Sequence, residues 1–137
     1  MSGKVFLDSN ILVYAQDAGS ADKQGRSREL IARLAASGDG VISTQVMQEF
    51  FVSVTRKLGV PPLAAKAVLK TLTVFEIVTA GPELIHAAID CSVLNAISFW
   101  DALILAAAAS AGCATLWTED LNHGQIIMGV KVQNPLA

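Results

Sequence analysis

Short apolar runs alternate along this chain with longer stretches of helical periodicity, and that alternation constrains the fold more than any other feature. Strand-like runs fall at Val5 to Leu7, Val41 to Ser43, Val74 to Val78 and Ala114 to Trp117, with a shorter one at Val130 to Val132. Between them, helical patterns cover Ile11 to Gln16, Ser27 to Ala36, Gln45 to Leu58, Leu63 to Leu72, Pro82 to Asn95 and Phe99 to Ala111. Most of the strands are apolar at successive residues rather than at every second one, so both of their faces are expected to be buried. The pattern therefore predicts an α/β fold, a three-layer α/β/α sandwich around a mainly parallel central sheet. No internal repeat, low-complexity tract or long linker interrupts it.

The totals narrow the function. At 137 residues the chain is read as one domain over residues 1–137. Ten Lys and Arg against twelve Asp and Glu leave a net charge of -2, which excludes a global basic field for holding nucleic acid; a polyanionic ligand would need a local patch or a metal. Hydrophobic residues make up 53% and the mean hydropathy is +0.50, more apolar surface than one small core hides, which points to self-association or a tight partner. Cys91 and Cys113 lack metal-ligand spacing and read as reduced core thiols, placing the protein in the cytoplasm. The opening "MSGKVFLDSN" meets a charge too early for a signal peptide. The uncharged stretch "ALILAAAASAGCATLWT" falls short of a membrane span and reads as a buried helix followed by a strand, so no membrane association is expected.

In open parallel sheets the ligand site lies beyond the carboxyl ends of the strands. Asp8 ends the first strand, Ser43-Thr44 the second, and Thr118-Glu119-Asp120 the fourth. Each acid also has a plainer reading. Asn10 or Ser9 can cap the helix that follows Asp8, which leaves Asp8 superfluous as a cap. Ser98 and Asp101 fit a capping box, yet the helix behind them is apolar on every face, and a buried carboxylate without a cation is costly. Glu49 lies about 60° beyond the apolar arc of its helix, where glutamates are ordinary. Glu119 and Asp120 can belong to a simple turn.

Together these residues place Asp8, Glu49, Asp101 and either Glu119 or Asp120 at the one sheet edge where chemistry is usually housed. Carboxylates crowded into one cleft raise each other's pKa values, and a divalent cation such as Mg²⁺ or Mn²⁺, both of which favour oxygen ligands, removes the conflict. Such a metal can activate water for attack on a phosphodiester. An apolar strand ending on Asp8 then delivers an oxygen ligand at a rigid point.

The segments "FLDSNILVYA", "ISTQVMQEFF", "FWDALILAAA" and "LWTEDLNHGQ" resemble, in order and spacing, the signature segments of PIN-domain ribonucleases, in particular the VapC-type toxins of toxin–antitoxin pairs. The resemblance covers nearly the whole chain. It implies that Asp8, Glu49, Asp101 and Asp120 hold Mg²⁺ or Mn²⁺, with Asn10 and Thr118 in support. It selects Asp120 over Glu119, because the family's segment reads threonine, any residue, aspartate. It further implies a homodimer, endonucleolytic cleavage of an RNA substrate, and inhibition by a small antitoxin protein whose C-terminal segment enters the acidic cleft. The tail "GQIIMGVKVQNPLA" resembles that of one bacterial subgroup, with Met128 and Leu136 where a polar residue and an aromatic one would be expected. Two alternatives stand beside this reading. One is a haloacid-dehalogenase-like phosphatase, which lacks its second aspartate because Asn10 occupies that position. The other is a PIN-like binding module without catalysis. His123, close after the acidic turn, reads as part of a surface loop. The basic residues Lys23, Arg26, Arg28, Arg33, Arg56 and Lys57 read as solvated helix faces.

Overall fold

The computed structural model describes residues 3–137. A sheet is built from β1 (Val5–Leu7), β2 (Gly40–Ser43), β3 (Glu76–Val78), β4 (Thr115–Trp117), β5 (Ile126–Ile127) and β6 (Val130–Gln133), in the order β3-β2-β1-β4-β6-β5. All neighbouring strands run parallel except β5, which pairs antiparallel with β6. The helices are α1 (Ser9–Tyr14), α2 (Ala21–Ser37), α3 (Thr44–Lys57), α4 (Pro62–Thr71), α5 (Pro82–Asn95) and α6 (Phe99–Ser110).

The layering follows from the handedness of the crossovers. From β1 through β2 to β3 the chain steps outward in one direction, carrying α1 to α4; from β3 to β4 it returns across the sheet, carrying α5 and α6. Right-handed connections therefore put the two groups on opposite faces. The contacts agree: α1 packs on α2 and α3, and α3 on α4, whereas α5 packs on α6, and α6 on β2, β4 and β6. The sandwich predicted from alternating runs is the one observed.

The core is continuous through the sheet. Phe6, Leu7, Ile42, Leu116 and Val132 are sealed, and α6 is buried from Ala102 to Ala108. That burial explains why α6 is apolar on every face, and among the described residues no single helix is long and apolar enough to cross a membrane. Cys91 and Cys113 are free and buried, as their isolation in the sequence implied.

Differences lie at element boundaries. The third strand-like run begins two residues later than its apolar pattern, because Leu72–Val74 turns as a 3₁₀ helix that turns Phe75 inward. There Phe75 packs over Gly40, where a Cβ would lie 2.6 Å from its Cε1. Helix α2 starts at Ala21, ahead of the expected Ser27, after a 3₁₀ turn at Ala18–Ser20 that Asp17 caps through Gly19 N–H. Strand β5 carries too few residues for an alternation to register. Met128 takes a left-handed conformation (φ 54°) in the turn between β5 and β6, and Leu136 is buried.

Candidate active site

The strand order opens a crevice. β1 and β4 are neighbours whose connections leave in opposite directions, toward β2 and toward β6, and such a switch point is where open α/β sheets hold ligands. The register pairs Leu7 with Trp117, so Asp8 and Thr118 stand next in line, side by side. The Asp8 N–H continues the ladder by donating to the Trp117 carbonyl at 3.1 Å.

Asp8 is 5% exposed and both of its carboxylate oxygens are engaged. Oδ1 accepts from the Ser9 N–H at 2.7 Å, and Oδ2 accepts from the Thr118 hydroxyl at 2.7 Å. Asp8 itself, in extended conformation, is thus the cap of α1, where the sequence suggested Ser9 or Asn10. Thr118 is fully buried, and its one oxygen is saturated: it donates to Asp8 and accepts from Asn10 Nδ2 at 3.3 Å and from the Asp120 N–H at 3.0 Å. Thr118 therefore ties together the ends of β1 and β4.

Glu49 faces this group from α3. Its oxygens accept from the Ser9 hydroxyl at 3.2 Å and from Gln45 Nε2 at 3.3 Å, while the same Gln45 nitrogen donates to the Trp100 carbonyl at 3.1 Å. Gln45 so links Glu49 to the first turn of α6. Asp101 lies in that turn, with its N–H donated to the Ser98 hydroxyl, the cap half of the expected box. Asp120 is exposed at the rim.

The structure brings Asp8, Glu49, Asp120, Asn10 and Thr118 together; Gln45 ties Glu49 to the Trp100 carbonyl that precedes Asp101, and among the described residues the Asp101 carboxylate hydrogen-bonds to none of them. Among the described residues, no three His, Cys, Asp or Glu side chains already stand close enough to clasp a cation unaided. The electrostatics nevertheless mark the place. Burial pushes the Asp8 carboxyl up to about 6, against the pull of its Thr118 and Ser9 hydrogen bonds, and the Asp120 and Glu49 charges push it further the same way. The donor set is entirely oxygen, and the Asn10 amide oxygen is buried with no hydrogen-bond partner among the described residues. Carboxylates with a spare amide oxygen suit a hard divalent cation.

A cleft of about 710 Å³ runs from these residues between α1 and α3, lined by Ser9, Asn10, Glu49 and Asp120 at one end and by Tyr14, Ser53 and Lys57 along its walls. Glu119 does not compete for the site. The Tyr14 hydroxyl and Lys23 Nζ each donate to it at 2.8 Å, and these donors hold its carboxyl below the usual range despite partial burial. Sequence reasoning left Glu119 as a flank and missed this clamp; the only sign of it is the joint presence of Tyr14 and Lys23, which nothing in their spacing connects. His123 accepts the Asn134 N–H at 3.0 Å and serves to tie down the tail.

The PIN domain family model matches residues 5–126. The chain belongs to the PIN domain family. Solved structures with the same fold include the VapC20 toxin of Mycobacterium tuberculosis, described as cleaving the sarcin-ricin loop. It is 23% identical and has a TM-score of 0.68 over 85% of this chain and 90% of that one. A toxin–antitoxin complex from Klebsiella pneumoniae is 20% identical, with a TM-score of 0.67 over 93% and 95% of the two chains. A DNA-bound VapBC from Salmonella typhimurium is 18% identical, with a TM-score of 0.68 over 96% and 97%. No curated protein matches the chain by sequence. The matched residues include both strands that border the crevice, β1 and β4.

Proposed function

We propose that this PIN domain is a metal-dependent endoribonuclease and the toxin of a toxin–antitoxin pair. The observation that carries the reading is the buried Asp8, fixed at the switch point with Glu49 and Asp120 pressing on its charge. Asp8, Glu49, Asp101 and Asp120, with the Asn10 amide oxygen, are the residues that would hold Mg²⁺ or Mn²⁺. When bound, the cation supplies Lewis-acid stabilisation of the charge that develops on a phosphodiester. The chain's own part is positioning. Thr118 orients Asp8 and the Asp120 backbone, and Ser9 and Gln45 hold Glu49 in the rotamer that faces the cleft.

The toxin reading draws on the solved relatives described as toxins or toxin–antitoxin complexes, and an antitoxin partner comes with it. Free, buried cysteines support a reducing cytoplasmic location. Exposed Ile85, Ile89 and Val93, spaced along one side of α5, support a homodimer.

The test is cleavage of RNA by purified protein. Cutting should require Mg²⁺ or Mn²⁺, stop with chelator, and fall by at least about a hundredfold in Asp8→Asn and Asp120→Asn without loss of fold, the scale seen when a charge-stabilising group is removed. Equal cleavage by wild type and both variants would sink the proposal. Slowed growth on expression, relieved by a small protein encoded in the same host, tests the toxin part separately.

A further inference from the structure

The cleft is longer than the acidic group needs. From Glu49 to Lys57 it follows one side of α3 over eight residue steps, about 12 Å along the helix axis. Glu49 and Asp120 stand at one end of the cleft and Lys57 at the other, while the remaining lining carboxylate, Asp17, is engaged by the Gly19 N–H at 3.0 Å and the Ser20 hydroxyl at 3.3 Å. Lys57 is exposed, and among the described residues it has no carboxylate partner. Three of the four basic residues of α2 are otherwise committed, and the fourth, Arg33, is exposed outside the lining of the cleft. Lys23 is paired to Glu119, Arg26 binds the carbonyls of Pro135 and Leu136 at 3.1 and 2.8 Å, and Arg28 binds the Ala15 carbonyl at 2.8 Å.

The opposite wall carries Tyr14, the one aromatic side chain of the cleft among the described residues. Tyr14 is held still: its hydroxyl donates to Glu119 at 2.8 Å and accepts from Lys23 at 3.2 Å, with Lys23 Nζ 4.6 Å from the ring centroid over one face. A ring immobilised at its polar end offers stacking without a further ordering cost. Paired with a lysine along the same groove, it is the combination that binds a single nucleic-acid strand through a phosphate and an unpaired base.

We infer that the cleft between α1 and α3 is a track for one RNA strand leading to the acids, in which Lys57 neutralises a phosphate and a base stacks on Tyr14 on the face away from Lys23. The inference rests on the nuclease reading, and it names residues outside the acidic group. Glu119 and Lys23 are then positioning residues, acting on RNA through the tyrosine they hold.

Binding without cleavage separates the two. In the Asp8→Asn background at constant Mg²⁺, anisotropy of a fluorescein-labelled single-stranded RNA of mixed sequence is followed against KCl. Lys57→Gln should weaken binding and flatten the dependence of log K on log salt by about 0.7, one phosphate on a single strand, while Lys70→Gln on α4 leaves it unchanged. Tyr14→Leu should weaken binding about fivefold or more at every salt concentration, and Tyr14→Phe should restore most of the loss, since the ring and not the hydroxyl meets the base. Melting curves check that each variant is folded. Undiminished binding and an unaltered slope in Lys57→Gln and Tyr14→Leu overturn the track while leaving the nuclease intact. Absence of any RNA binding in the Asp8→Asn parent overturns both.

Discussion

Asp8 illustrates how one residue can be costly to the fold and necessary to the site. Its carboxyl has a usual value of 3.8 and is raised to about 6 here, chiefly by burial, a difference worth roughly 3 kcal/mol. The sign follows from proton binding. Between these values the folded chain holds a proton that the unfolded chain has released, so this group's stabilisation is full below pH 3.8 and is lost as pH rises through about 6. Asp8→Asn removes the dependence. Its amide hydrogens then face a Thr118 oxygen that already accepts twice, which offsets part of the gain. With chelator present, the stability of Asp8→Asn relative to wild type should rise by about 2 kcal/mol between pH 4.5 and 7.5, read as urea midpoints. A difference that does not move with pH would refute it. Thr118→Val, nearly isosteric, deprives Asp8, Asn10 and the Asp120 N–H of their shared partner and should destabilise by about 1–3 kcal/mol, with Thr118→Ser close to wild type in the same denaturation experiment.

At the scale of elements, the strand ends are rigid because the helices after them are capped in place. Asp8 caps α1, Ser43 caps α3 by accepting the Val46 N–H at 3.3 Å, and Ser98 caps α6. Asp8 is itself a residue of the candidate site, Ser98 caps through the Asp101 N–H, and Ser43 fixes the start of the helix that carries Glu49, so local helix chemistry and site geometry are one construction. Gly40 performs a different task at the start of β2. Its missing Cβ is the space into which the Phe75 ring packs, with Leu34 Cβ 3.2 Å from where the methyl would be. Gly40→Ala should therefore lower stability by about 1–3 kcal/mol through overpacking, and Phe75→Leu combined with it should recover part of the loss relative to the two single changes added together. Strict additivity in thermal melts would count against the contact.

For the whole molecule, the excess of apolar residues has a place as well as an amount. Ile85, Ile89 and Val93 are 40%, 49% and 79% exposed on α5, whose other side packs on α6. If that surface joins two copies, Ile89→Glu should shift the protein to monomer in light scattering at micromolar concentration, with its intrinsic fold retained by circular dichroism. A variant that stays dimeric moves the interface elsewhere.

Much of this was legible before any coordinates. The alternation of strand and helix set the layers, because apolar runs buried on both faces leave a parallel sheet covered by helices as the stable arrangement. The placing of Asp8, Thr118 and Asp120 at strand ends followed, since those residues close local apolar runs and their position needs only local chain direction. Even the capping of α6 by Ser98 was local enough to read. What the tertiary structure alone decided is long-range. The order β3-β2-β1-β4-β6-β5 puts Thr118 against Asp8 across 110 residues, and with it the burial that raises that carboxyl. The pairing of Tyr14 and Lys23 with Glu119 and the docking of Phe75 over Gly40 depend equally on chain crossings that no spacing encodes. The reason is physical: periodicity reports which face of an element leaves water, whereas the partner it meets there is selected by the packing of the entire core.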